Sequence, residues 1–334
     1  MIAVVGALAI AGVGASLSAQ AAGRGAERAI PVSEGYVTAP DGNRLYYKII
    51  GHAPDTIVAI HGGPGETMAE FDPALMPLVP RHALLLYDQR GNGRSSVVGD
   101  STHLAVSYHL SDLEAILHHF AIRRATLLGH SWGGGLVALY AAAHPAAVAR
   151  LILVDPVAPR LRPFGIQSNH ARLAGADSAT LSRIAVLSGA ARADTAHDKA
   201  ALCREIYDLL LKNYFVSRDA MTHTIAGDCA DSSYSLARAY RVGTVTSGSW
   251  GEWVWDTLMT HVPARALVIH GANDFIPVAA SDAWASAFPN GRLLVIGRSG
   301  HFPFVERPDE FFPAIETFLE GGWPPSATRG HPSP

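Results

Sequence analysis

Gly129-His130-Ser131-Trp132-Gly133-Gly134 is the stretch whose reading decides the fold. It has the pattern Gly-x-Ser-x-Gly. Before it, Ala125-Thr126-Leu127-Leu128 is a short apolar run of strand type. After it, Leu136 to Ala143 is an Ala/Leu-rich helix former closed by His144-Pro145. A serine on a tight strand-to-helix turn has its hydroxyl pushed out of the backbone and into a pocket. The flanking glycines admit the strain and crowding of such a turn. The pattern alone also fits a glycine-rich turn that happens to hold a serine, so the neighbouring sequence has to decide.

Upstream, Tyr36-Val37-Thr38 and Arg44 to Ile50 flank Asp41-Gly42-Asn43, a hairpin signal. Thr56 to Ile60 is a wholly apolar strand, hence central in its sheet, and runs into His61-Gly62-Gly63-Pro64-Gly65. A helix is expected over Met68 to Val79. Ala83 to Tyr87 reads as the next strand, followed by Asp88-Gln89-Arg90-Gly91-Asn92-Gly93-Arg94-Ser95. An amphipathic helix over 107–120 places Leu110, Leu113, Ile116, Leu117 and Phe120 on one face. Leu151 to Val154 is a further buried strand, ending at Asp155-Pro156. The alternation then stops: 157–261 has helical composition and holds Cys203, Cys229 and a set of aromatic residues. It resumes with strands at Ala266 to Ile269 and Leu293 to Ile296, each followed by a helix. Strands alternating with helices mean a mostly parallel central sheet with helices on both faces. The expected organisation is therefore an α/β core in two parts, 33–156 and 262–320, with an inserted helical cap at 157–261 over the crevice at the strand ends. Residues 321–334, rich in Gly, Pro and Ser, read as a disordered tail.

The chain has 334 residues, 49% hydrophobic and 16% charged, with a net charge of −3. No run of basic residues suggests nucleic acid as a partner. No zinc-ligand spacing, phosphate loop or dinucleotide fingerprint occurs, so neither metal nor cofactor is expected. Met1 to Ala15 is apolar, and Ala19-Gln20-Ala21 fits signal-peptidase cleavage, although no Lys or Arg precedes the run. The run is shorter than the ~20 residues that span a bilayer. Residues 1–22 are therefore expected to be a signal peptide that exports the chain to the periplasm or the medium, with no membrane insertion afterwards. A misplaced start would leave the chain cytoplasmic. In an exported chain Cys203 and Cys229 could pair; otherwise they are two buried thiols.

Three residues follow predicted strand ends, where an α/β site belongs: Ser131, Asp274 and His301. A serine hydroxyl needs a base to become a nucleophile, and histidine titrates in the right range. A buried carboxylate orients the imidazole and stabilises its charged form. The chain order Ser, Asp, His is that of a hydrolase triad on this kind of sheet. Asp155 also follows a strand and competes for the acid role, but reads better as the corner into the cap. The loop after Ile60 offers unobstructed N–H groups. Gly63, with Gly62 as alternative, and Trp132 are the expected oxyanion donors, each such donor being typically worth ~2.7–4 kcal/mol. His61 is read as holding that loop.

Taken together, His61-Gly62-Gly63-Pro64-Gly65, Asp88-Gln89-Arg90-Gly91-x-Gly93-x-Ser95, Gly129-x-Ser131-Trp132-Gly133-Gly134, Asp274 and Gly300-His301 resemble the α/β-hydrolase superfamily. More narrowly, they resemble its proline iminopeptidase branch, serine peptidase family S33, over about Tyr36 to Leu319. The resemblance implies structural roles for Asp88 and Arg90, and an enzyme that releases N-terminal residues from small peptides. It also implies an acidic cap residue that pairs with the substrate amine, since a desolvated ammonium must be paired. Here the chain departs from the pattern: Arg241-Val242-Gly243-Thr244 stands about where that glutamate belongs, before Trp255-Asp256. Glu252, Glu205, Asp228 and Asp231 are the remaining acids, and Trp250 and Trp253 are candidate substrate contacts. The expected function is a cofactor-independent serine hydrolase on a small-molecule or short-peptide substrate, an aminopeptidase of this type first. A carboxylesterase, amidase or lactonase is the alternative, and a non-catalytic ligand-binding receptor a remote one.

Overall fold

A computed structural model describes residues 30–194 and 196–331. The apolar run and cleavage site in 1–22 lie outside the described residues, as does the end of the tail.

Apolar β-branched and leucine runs form the strands: β1 (Val32–Thr38), β2 (Arg44–Ile50), β3 (Thr56–Ile60), β4 (Ala83–Tyr87), β5 (Ala125–His130), β6 (Val148–Val154), β7 (Arg265–Gly271) and β8 (Gly291–Ile296). They make one sheet in the order β1-β2-β4-β3-β5-β6-β7-β8. β1–β2 and β2–β4 are antiparallel, and every later pair is parallel. Side chains alternate between faces with period two. Val58, Ile60, Leu127, Leu151, Leu153 and Val268 enter one buried cluster. Ile57, Ala59, Leu128, Ile152, Leu267 and Ile269 enter another on the opposite face. Both faces being covered explains why these strands read as unbroken apolar runs.

α1 (Val106–His119) and α2 (Trp132–Ala143) cover the first face. On α1, Leu113, Ile116 and Leu117 are buried, with Leu110 and Phe120 packed partly beside them. Between β6 and β7 lie α3 (Ile166–Arg172), α4 (Ser178–Ala193), α5 (Lys199–Leu210), α6 (Arg218–Ala230) and α7 (Leu236–Gly248). Short polar side chains start α4, α5 and α7: Asp177 accepts from Thr180 N–H, Asp198 from Ala201 N–H and Ser235 from Arg238 N–H. This insertion has its own apolar cluster around Leu187, Ile206, Met221 and Ile225. A disulfide between Cys203 on α5 and Cys229 on α6, with Cα atoms 5.6 Å apart, closes it. After β7 and β8 come α8 (Val278–Ala287), the single turn α9 (Pro303–Glu306) and α10 (Pro308–Leu319), whose Phe311, Ile315 and Phe318 cover the second face.

Two expectations need correction. Met68 to Val79 is not one helix but two 3₁₀ turns, Met68–Glu70 and Met76–Leu78. Pro73 and Pro77 lack the N–H groups that a continuous helix requires. The segment after α10, expected to be disordered from 321 onward, instead packs on the sheet as far as it is described. Thr328 bridges to Leu293 of β8, Ala327 is buried, and Trp323 lies against Phe318 and the guanidiniums of Arg265 and Arg292. Polar-looking composition hid an edge strand's need for a covering partner. No helix among the described residues is long and apolar enough to cross a membrane.

Candidate active site

Because β3 and β5 to β8 run parallel, their C-terminal ends fall on one edge of the sheet, and the loops that follow meet there. Register fixes the neighbours: Ile60 pairs with Gly129, His130 with Val154, Val154 with Ile269, and Gly271 with Ile296. Ser131 follows β5 and stands at φ +52°, ψ −118°, a conformation that costs an L-residue roughly 1–3 kcal/mol. Its N–H donates to Val154 O at 2.9 Å. The glycines on either side are obligatory: a Cβ on Gly133 would lie 2.1 Å from Ile60 O, and one on Gly129 2.2 Å from Gly133 O. The elbow is strained and wedged against β3 by packing, and its carbonyl accepts from the N–H groups of Gly134 at 3.0 Å and Val157 at 2.9 Å.

Asp274 follows β7 and His301 follows β8. Asp274 Oδ2 accepts from His301 Nδ1 at 2.9 Å, and both side chains are buried. That bond fixes the proton on Nδ1 and leaves Nε2 as the basic nitrogen. Burial, and then the charge of His130, hold the His301 imidazole well below its ordinary pKa. The His301 N–H donates to Tyr214 O at 2.6 Å. The rings of Tyr214 and Phe275 stand 5.1 and 4.9 Å from the His301 ring.

The loop after β3 leans on the elbow, so that a Cβ on Gly62 would be 3.2 Å from Ser131 Cβ. Gly62 is buried and its N–H is taken by Glu70, 3.2 Å from both carboxylate oxygens. Gly63 is exposed at φ +110°. Trp132 opens α2, so its N–H has no acceptor within the helix. Of the two donors weighed in this loop, Gly63 is therefore the one left to a ligand. His61 holds the loop: Gln89 N–H donates to its Nε2 at 3.0 Å, and its Nδ1–H then donates to Gly62 O at 2.9 Å. Gln89 also accepts from Trp132 Nε1 at 2.9 Å. Asp88 accepts from the N–H groups of Met68 and Arg94, and Arg90 grips Asp112 and Asp41; these braces lie beneath the loops.

Three residues offered as substrate contacts are placed elsewhere. Glu252 is exposed and faces the exposed Arg162 at 3.7 Å, so it supplies no desolvated carboxylate. Trp250 stacks on the Trp132 ring at 5.1 Å, and Trp253 donates to Ala158 O; both pack with Trp255 beside α2. They bury apolar area at a helix seam, which their composition alone could not distinguish from a binding wall. Glu205 pairs with Arg183 on the surface, Asp231 accepts from Ser233, and the Asp228 side chain lies outside the described residues. Arg241, where an acid was expected, donates instead to the carbonyls of Val98 and Gly99.

Sequence reading missed two half-buried carboxylates on the Gly-rich loop's own segment. Glu66 accepts from Tyr207 Oη at 2.8 Å and from Tyr234 Oη at 3.3 Å, both of the insertion, and burial pushes its pKa up to about 7. Its position directly after Gly65 was the available signal. Glu70 has no sequence signal; besides Gly62 it binds His130 Nδ1 at 2.8 Å.

The sequence pattern of the family described as alpha/beta hydrolase fold matches residues 55–308. The chain belongs to the alpha/beta hydrolase fold family. As a member of it, the chain is similar to a proline iminopeptidase of Lactobacillus helveticus, 25% identical over 301 residues that cover 84% of this chain and 95% of that protein. Among solved structures of this fold, an esterase from Exiguobacterium antarcticum superposes with a TM-score of 0.67 at 20% identity, covering 85% of this chain and 98% of the esterase. An enol-lactonase from Burkholderia xenovorans gives 0.64 at 20% identity, covering 86% and 100%.

Proposed function

We propose that this alpha/beta hydrolase is a serine hydrolase that works through an acyl-enzyme. Ser131 attacks the acyl carbon and His301 Nε2 takes its proton. The Trp132 and Gly63 N–H groups hold the oxyanion, and His301 then returns the proton to the leaving group. Asp274 keeps the imidazole in the right tautomer and stabilises its charged form. The observation that carries this reading is the Asp274 Oδ2 to His301 Nδ1 bond of 2.9 Å, on the same sheet edge as the strained Ser131.

Within that class, an aminopeptidase of the proline iminopeptidase type is the leading reading, supported by the likeness over nearly the whole Lactobacillus helveticus protein. It requires a carboxylate for the substrate amine. With Glu252 in solvent, Glu66 takes that role: it is half-buried directly after the Gly-rich loop, and an arriving ammonium would draw it into the ionised form. A carboxylesterase or lactonase, as in the structural neighbours, needs no such group.

A fluorophosphonate probe tests the chemistry: labelling should occur in the wild type and vanish in Ser131→Ala. Absence of a Ser131-dependent adduct would remove the serine hydrolase reading. Aminoacyl amides of proline and alanine, run beside simple esters, test the substrate. Glu66→Gln is expected to lower kcat/KM for the amides at least tenfold while leaving esters within about threefold, tenfold being 1.4 kcal/mol. Equal losses on both would refute the amine-binding role.

A further inference from the structure

Asp155 is a buried carboxyl group at the site's sheet edge that the chemistry above leaves unused. It follows β6 at φ +40° and is completely buried. Its N–H donates to Ile269 O at 2.8 Å, and its Oδ1 accepts from Gly271 N–H at 2.8 Å and lies 3.2 Å from His270 Nδ1. His270 does not bring a charge: burial holds it neutral, pushing its pKa down to about 3, and its Nδ1 is shared with Ser281 Oγ at 2.9 Å. Asp155 Oδ2 has no hydrogen-bond donor among the described residues, and neither does Asp274 Oδ1. These two orphaned oxygens belong to neighbouring carboxyl groups: Asp155, His270 and Asp274 each offer an atom within 4.8 Å of the others.

Two carboxylates cannot hydrogen-bond without a proton between them, and two adjacent anions in a buried site repel strongly. One proton satisfies both orphaned oxygens. Asp274 is the member that keeps the charge, because it accepts from His301 and lies near the N–H groups of Phe275 and Ile276. We propose that Asp155 is a protonated carboxylic acid that donates its hydrogen bond to Asp274, a positioning residue that holds the triad carboxylate in line with His301. This rests on the triad reading of Asp274 and His301. It turns the two acids that competed for one role in the sequence into partners with different roles.

The titratable groups facing the pair are His270 from β7, His301 from the loop after β8, His130 from the end of β5, and Tyr214 from the insertion. Burial first, and then the neighbouring aspartate, raise Asp155 well above the usual carboxylate range; burial does the same for Asp274. The pair should therefore keep its proton at neutral pH and lose it on the alkaline side.

The test compares the rate of fluorophosphonate acylation at Ser131 in four proteins across pH. Asn at 155 keeps a donor toward Asp274, so Asp155→Asn should retain the wild-type rate at neutral pH within about threefold and lose the alkaline limb that the pair imposes on the wild type. Asp155→Ala, with no donor, should fall ten- to hundredfold. Asp274→Asn should fall a thousandfold or more. Asp155→Asn falling as far as Asp274→Asn, or keeping the wild-type alkaline limb, overturns the proposal. A folding defect in the variants does not shield it: infrared difference spectra of the intact wild type at neutral pH should show a protonated-carboxyl stretch, and its absence counts against the proposal. Loss of wild-type acylation on chelation would also overturn it, by pointing to a cation between Asp155, His270 and Asp274. Failure of the wild type to label at all would instead remove the serine hydrolase reading itself.

Discussion

Both ring nitrogens of His130 face acceptors: Glu70 Oε1 at 2.8 Å on one side and His301 O at 2.8 Å on the other. A carbonyl cannot donate, so Nε2 carries a proton, and the carboxylate holds another on Nδ1. The ring is an imidazolium, and the Glu70 carboxylate raises its pKa against the pull of burial. Glu70 in turn is lowered: burial raises it, but His130, His61 and the Gly62 N–H together outweigh that. The pair ties the loop after β3 to the elbow and to the backbone of His301. Removing one member of a buried pair strands the other's charge, a loss of 3–5 kcal/mol in typical cases. Glu70→Gln should therefore destabilise the fold by about 3 kcal/mol in urea unfolding. Glu70→Gln combined with His130→Gln should recover part of that loss, because no buried charge is left alone. A double variant as unstable as the sum of the singles would show that the two side chains act independently.

Among the elements, the strands are legible because both faces of the sheet are buried: a run such as Ala83 to Tyr87 has nowhere to be but the core. The positions of Ser131, Asp274 and His301 at strand ends follow from the same runs. Met68 to Val79 misleads because its apolar composition outweighs two prolines on paper but not in hydrogen bonding. The partners of Glu66 and Glu70 cannot be read from sequence at all. Glu70 meets His130 across 60 positions and Glu66 meets Tyr207 across 141, distances that only the folded loops close. The α5–α6 pair carries its own test. The disulfide closes a loop of sequence separation 26, and chain-entropy loss in the unfolded state gives roughly 3.5 kcal/mol for that length. Cys203→Ser with Cys229→Ser is expected to lose between about 2 and 4 kcal/mol, read as a lower midpoint in guanidinium unfolding under non-reducing conditions. Reductant should lower the wild-type midpoint toward that of the variant. A midpoint unmoved by either treatment would mean that the bridge does not stabilise the insertion.

At the scale of the whole molecule, the insertion is fastened to the rest of the chain partly through a group that prefers to be neutral. Glu66 stands on the loop after β3 and takes the hydroxyls of Tyr207 and Tyr234 from the insertion. Its folded pKa of about 7 lies above its ordinary value of 4.5, so the folded state binds the proton more tightly than the unfolded chain does. The sign follows by linkage: this contribution is fully present below pH 4.5 and is lost as pH rises through about 7. At about 1.36 kcal/mol per pKa unit, the loss is at most roughly 3 kcal/mol. The same proton also bears on specificity, since a bound ammonium would favour the ionised carboxylate that burial disfavours. Thermal unfolding between pH 5 and 8 is the measurement. The wild type should lose more stability over that interval than Glu66→Gln, which has no proton to release, and an aminoacyl amide analogue should narrow the gap at pH 8 by pairing with the carboxylate. Parallel curves for the two proteins would mean that the Glu66 proton does not contribute to holding the insertion.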